Sequence, residues 1–132
     1  MRYWLALGSN ENPHQALDLA CGALAKLGTL KESSRYCTEP RAGVGVCFEN
    51  MAVELATGLS KDGLIEQICA LEALAGRVRG SDVVRLDIDL IAWQADAAPV
   101  LVKHRLPWPL DVVLPMQEIW PEGIQLAQNR SF

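Results

Sequence analysis

The chain predicts an α+β sandwich with a mainly antiparallel sheet and helices on one face. Three observations carry that prediction. Four segments read as strands and two as amphipathic helices. Their order is strand, helix, strand, strand, helix, strand, which makes two split β-α-β halves. The length, 132 residues with half of them hydrophobic, suits one packed core and a single domain spanning 1–132.

The first strand is Tyr3 to Leu7, broken by Gly8-Ser9-Asn10. Asn10, Asn12 and Pro13 form a helix entry. From Pro13 to Leu27 the residues Leu17, Ala20, Cys21, Leu24 and Leu27 recur at helical spacing, and Gly28 stands where a C-terminal cap belongs. Leu30 to Thr38 reads as a second strand of modest strength. Glu39 to Cys47 is a loop with Pro40, Gly43 and Gly45. Phe48 to Thr57 is a clearer strand: Met51, Val53 and Leu55 share one face, and Phe48, Asn50, Ala52 and Glu54 the other. Ser60 caps a helix reaching about Ala75, with Leu64, Ile65, Ile68, Leu71 and Ala75 as its apolar stripe and Gly76 as its end. A basic turn from Arg77 leads to the last strand, Arg85 to Trp93. The tail carries Pro99, Pro107, Pro109, Pro115 and Pro121 and is expected to be mostly irregular, with a short helical turn at Met116–Ile119. Together these make a ferredoxin-like βαββαβ sandwich with an irregular C-terminal tail.

Composition narrows the function classes. A formal net charge of −4 argues against nucleic acid or an anionic membrane as partner. No run approaches the roughly 18–20 apolar residues of a membrane span. No secretory signal is visible, so a cytoplasmic location is expected. Cys21, Cys37, Cys47 and Cys69 form no C-x-x-C pair, which argues against zinc and for reduced thiols used in packing. Oligomeric state is left open.

The sharpest chemical feature is Arg85-Leu86-Asp87-Ile88-Asp89-Leu90-Ile91. On a strand Asp87 and Asp89 project together while Leu86, Ile88 and Leu90 face the core. Two adjacent carboxylates repel unless a positive charge sits between them. An all-oxygen donor set suits magnesium, which shares substrate phosphates. The other reading is a solvated strand face. Arg77 and Arg79, just before this strand, either fork onto phosphate oxygens or form a solvated turn that complements the helix dipole. Phe48 and Asn50 share a strand face, where a ring can stack on a flat heterocycle and an amide can read its edge. His14, His104 and Ser9 lack the partners that catalytic use would need.

These segments resemble, in order, those of the 6-hydroxymethyl-7,8-dihydropterin pyrophosphokinases. The resemblance runs through Leu7-Gly8-Ser9-Asn10, the segment from Ser33 to Pro40, the strand from Phe48 to Leu55, Glu72 with Gly76-Arg77-Val78-Arg79, the strand from Arg85 to Leu90, and Pro115 to Pro121. It covers about Leu5 to Glu122. It implies transfer of pyrophosphate from ATP to the hydroxymethyl group of a reduced pterin, a step toward folate. It implies two Mg2+ ions on Asp87 and Asp89, with Arg77 catalytic beside them. It implies pterin contacts at Thr38, Glu39, Pro40, Phe48 and Asn50, and nucleotide contacts at Glu72, Arg77, Arg79 and Lys103.

The chain departs from that pattern on the nucleotide side. Gly80-Ser81-Asp82-Val83-Val84 is shorter than the family's loop and lacks its tryptophan. Arg85 precedes Asp87 by two residues where the family arginine precedes by three, which changes its strand face. Pro107-Trp108-Pro109 replaces a segment with an ATP-contacting histidine, and a following arginine and aromatic are missing between Pro109 and Leu114. The alternative implied is a non-catalytic pterin-binding or interaction protein that has lost the nucleotide loops.

Overall fold

Tyr3, Leu5 and Leu7 alternate with Trp4 and Ala6, and every one of them is buried, so their strand must be covered on both faces. A computed structural model, which describes residues 1–38, 48–77, 80 and 83–130, makes this strand, β1 (Arg2–Ser9), the sheet's centre. It pairs antiparallel with β4 (Phe48–Thr57) on one side and β5 (Asp87–Gln94) on the other. β2 (Gly28–Glu32) and β3 (Tyr36–Thr38) both pair with the far edge of β4, and β6 (Val100–Leu101) pairs with β5. The strand order β2-β4-β1-β5-β6 is the ferredoxin-like arrangement with one short strand added.

One face of the sheet carries α1 (Pro13–Ala25) and α2 (Lys61–Leu74). Leu17 and Leu24 of α1 and Leu64 and Ile68 of α2 pack there on Leu5, Leu7, Met51, Val53, Leu86 and Ile88. Ser60 caps α2 as expected, its Oγ accepting from the Gly63 amide at 3.1 Å. Asn12 enters α1 in a left-handed conformation, ahead of Pro13. The end of α1 differs from expectation. Lys26 closes the helix in a right-handed conformation, and Gly28 already belongs to β2, opposite Thr57.

The second predicted strand is two strands. Between Glu32, opposite Val53, and Tyr36, opposite Asn50, three residues face only Ala52 and Met51. That extra residue is a bulge. Ser33 holds it: its amide donates to Ala52 O and its Oγ accepts from the Ala52 amide, both at 2.9 Å.

The tail differs most, because it is ordered and covers the other face of the sheet. After a one-turn 3-10 helix at Lys103–Arg105, it forms α3 (Leu110–Ile119) and α4 (Pro121–Arg130). Helices therefore lie on both faces, not one. Proline did not prevent this because of where it falls: Pro109 is the N-cap of α3 and Pro121 is the first residue of α4. Only Pro115 lies inside a helix, where its ring forgoes one hydrogen bond. Val112, Met116, Ile119 and Trp120 bury against Trp4, Ala6, Ala52, Ile91 and Ala92. A bulge in β5 helps: Trp4 faces Ala92 while Leu5 faces Leu90, so Ile91 is extra and both Ile91 and Ala92 enter this second core. The Trp4 and Trp120 rings stack at 3.8 Å and 11°.

Of the cysteines, Cys21 is buried while Cys37 and Cys69 are exposed, so those two are not packing residues. Cys47 lies outside the described residues. No helix among the described residues is long and apolar enough to cross a membrane.

Candidate active site

The face of the sheet shared with α3 opens at one end into a cleft of about 240 Å³. Register explains what lines it. Gly8 of β1 pairs with Asn50 on one side and with Asp87 on the other, and Ala6 pairs with Ala52 and Asp89. Residues two apart share a face, so Phe48, Asn50, Gly8, Ala6, Asp87 and Asp89 form one floor. Gly8 sits at its middle, where a Cβ would stand 2.7 Å from Asn50 Oδ1. The missing side chain lets the Asn50 amide lie across the strand. Asn50 is buried and donates through Nδ2 to Thr38 Oγ1, which closes that end of the cleft. Asp111 and Val112, in the first turn of α3, complete the lining with Arg77 and Val84.

Asn10 fixes the approach to β5. Its Oδ1 accepts from the Val84 amide at 2.6 Å, and its own amide donates to the Val84 carbonyl at 2.9 Å. Ser9 is buried in the same turn, its Oγ bonded to the Glu11 main chain.

Arg77 is delivered by the end of α2. Gly76 adopts φ +89°, the left-handed conformation of a helix-terminating turn. The Gly76 amide donates to Ala73 O and the Arg77 amide to Glu72 O, both at 3.0 Å. This folds Arg77 back over Glu72 and against β5. Its Nη1 donates to Asp87 Oδ1 at 2.8 Å, Leu86 O at 3.0 Å and Glu72 Oε2 at 3.2 Å.

The paired carboxylates are held unequally. Burial pushes the Asp89 carboxyl up to about 7, and the Asp87 charge adds to the rise, against the opposing Arg105. Burial acts the same way on Asp87. There the hydrogen bond from Asp89 and the Arg77 guanidinium outweigh it, leaving Asp87 below its usual range. Below about pH 7 and above the carboxylate range the two share one proton, as close carboxylates do. Arg105 Nη2 lies 3.1 Å from Asp89 Oδ1.

The structure thus brings together Thr38, Phe48, Asn50, Arg77, Asp87 and Asp89. Glu39, Pro40 and Arg79 lie outside the described residues. Glu72 is buried behind Arg77 and does not line the cleft. Lys103 is exposed in the 3-10 turn and is not among the lining residues, while its neighbour Arg105 reaches Asp89. Arg85 turns away, pairing with Glu11 at 3.3 Å. Sequence reading missed Arg105 and Asp111. Lys103 and Arg105 look alike in a basic run, and only the path of the chain selects one. Asp111 sits in a stretch read as a trimmed tail.

The donor set fits magnesium. It is all oxygen, and both carboxylates lie on one face of the sheet at the cleft. Among the described residues no group of three His, Cys, Asp or Glu could hold a metal, so the pair would share an ion with water and substrate oxygens, as magnesium sites commonly do.

Fold and site together define a ferredoxin-like α+β domain whose cleft joins an aromatic-amide end to a carboxylate pair. Residues 4–123 match the family model described as 7,8-dihydro-6-hydroxymethylpterin-pyrophosphokinase (HPPK), and the chain belongs to that family. Membership implies a pterin pyrophosphokinase, a transferase of folate biosynthesis.

Proposed function

We propose that this chain catalyses magnesium-dependent transfer of pyrophosphate from ATP to 6-hydroxymethyl-7,8-dihydropterin, releasing AMP. One observation carries the reading: a single cleft holds Phe48 and Asn50 at one end and Asp87 and Asp89 at the other, with Gly8 between. The pterin ring stacks on Phe48 and presents its edge to Asn50, with Thr38, Glu39 and Pro40 alongside. That pose points the hydroxymethyl group along β1 toward the carboxylates. Two magnesium ions on Asp87 and Asp89 would neutralise triphosphate charge. Arg77, Arg79 and Lys103 supply cations for the phosphates, and Arg105 joins them from its place beside Asp89. The chain's contribution is positioning and charge complementarity, the usual basis of phosphoryl transfer.

The test is incubation with magnesium-ATP and the reduced hydroxymethylpterin, with AMP as readout. Asp87→Asn should abolish magnesium-dependent AMP release while leaving the fold intact by circular dichroism. Normal turnover in that variant would remove the metal role.

A second reading is a non-catalytic pterin-binding relative. It is favoured by Trp108, which packs in the core with Trp120 instead of facing the cleft where the family carries a nucleotide contact. It predicts pterin binding without AMP release.

A further inference from the structure

Arg77 presents one nitrogen to three acceptors. Nη1 has two N–H bonds, so it can serve only two of them well. The shortest contact, 2.8 Å, goes to Asp87 Oδ1, a carboxylate oxygen a divalent ion would claim. An ion arriving there takes the counter-charge of a guanidinium whose side chain is only 17% exposed. A buried arginine left without an anion is costly. The third acceptor removes that cost. Glu72 Oε2 lies 3.2 Å from the same nitrogen, in a side chain 9% exposed. It also accepts from the Ile88 amide at 3.0 Å, on the edge of β5 that β6 does not cover, so it cannot drift away.

Resting on the reading of Asp87 and Asp89 as a divalent-ion site, we infer that Glu72 is a positioning residue. It is the standing counter-ion that lets Arg77 release Asp87 to the metal without leaving the cleft. Nη1 shifts its two bonds from Asp87 to Glu72 Oε2 and Leu86 O, and no backbone need move. Arg77 then keeps its place and its charge for a phosphate oxygen. Glu72 thereby acts through Arg77 and touches no nucleotide, unlike the contact the family resemblance implies.

The experiment is calorimetric titration of the intact chain with magnesium alone. Wild type should bind, and Asp87→Asn should not. Glu72→Gln, which keeps an acceptor for the Ile88 amide, should bind magnesium about fivefold or more weakly. In an Arg77→Met background the same change should cost nothing further, because the residue it acts through is gone. An equal loss in both backgrounds means simple through-space charge and overturns the inference, as does unchanged affinity in Glu72→Gln alone. Absent binding in wild type, or binding that survives Asp87→Asn, overturns the metal-site reading and this inference with it. If Glu72→Gln does not fold, wild type decides by NMR. The Arg77 guanidinium protons should stay slow to exchange at magnesium saturation, and their loss of protection overturns the proposal.

Discussion

Gly8 shows how much of the cleft depends on a single atom's absence. It was visible in the sequence only as part of a strand-ending Gly-Ser-Asn, a turn signal. The structure keeps it inside β1, flanked by Asn50 and Asp87. Gly8→Ala would place a methyl 2.7 Å from Asn50 Oδ1 and force the amide off Thr38. The expected result is a loss of about ten- to hundredfold in kcat/KM for the pterin. Magnesium affinity measured without pterin should be unchanged, which steady-state kinetics and calorimetry together will check. Asp87 and Asp89 were legible because period-two spacing needs no tertiary knowledge. Arg105 was not, since its approach to Asp89 depends on how the chain returns after β6.

Most elements were readable where periodicity was long. β4 spans Phe48–Thr57, as its alternation predicts, and Ser60 and Gly76 bracket α2 as their chemistry predicts. What failed was the use of proline as a simple count. Helix caps and first turns accept proline, and α3 and α4 use it in those places. Those helices depend on burial of their apolar residues in the second core, a tertiary term that no local pattern carries. Trp120→Ala, removing a buried ring stacked on Trp4, should destabilise the fold by about 3–5 kcal/mol in urea titration. Two segments that carry the family resemblance also meet. Glu118 of α3 accepts from the Ser34 amide at 2.9 Å and from the Tyr36 hydroxyl at 2.7 Å. The serine-tyrosine segment thus helps to dock α3, a role its sequence did not disclose.

At the scale of the whole molecule, the buried acid pair ties stability to pH. The Asp89 carboxyl rises from its usual 3.8 to about 7 on folding, so between those values the folded state binds the extra proton. Stability must then fall as pH rises through that window, with no penalty below it and the full penalty above. Asp87 works oppositely, losing its contribution only as the pH drops below the usual carboxylate range. With a chelator present, urea midpoints should therefore decline from pH 5 to pH 8, and Asp89→Asn should flatten that decline. A midpoint that instead rises over this range in wild type would refute the assignment. The tryptophan stack adds a practical corollary. Two near-parallel indoles 3.8 Å apart couple their electronic transitions, so the fold carries its own chiroptical signal. Because one ring belongs to β1 and the other to the α3–α4 corner, that signal reports directly on whether the C-terminal helices are seated.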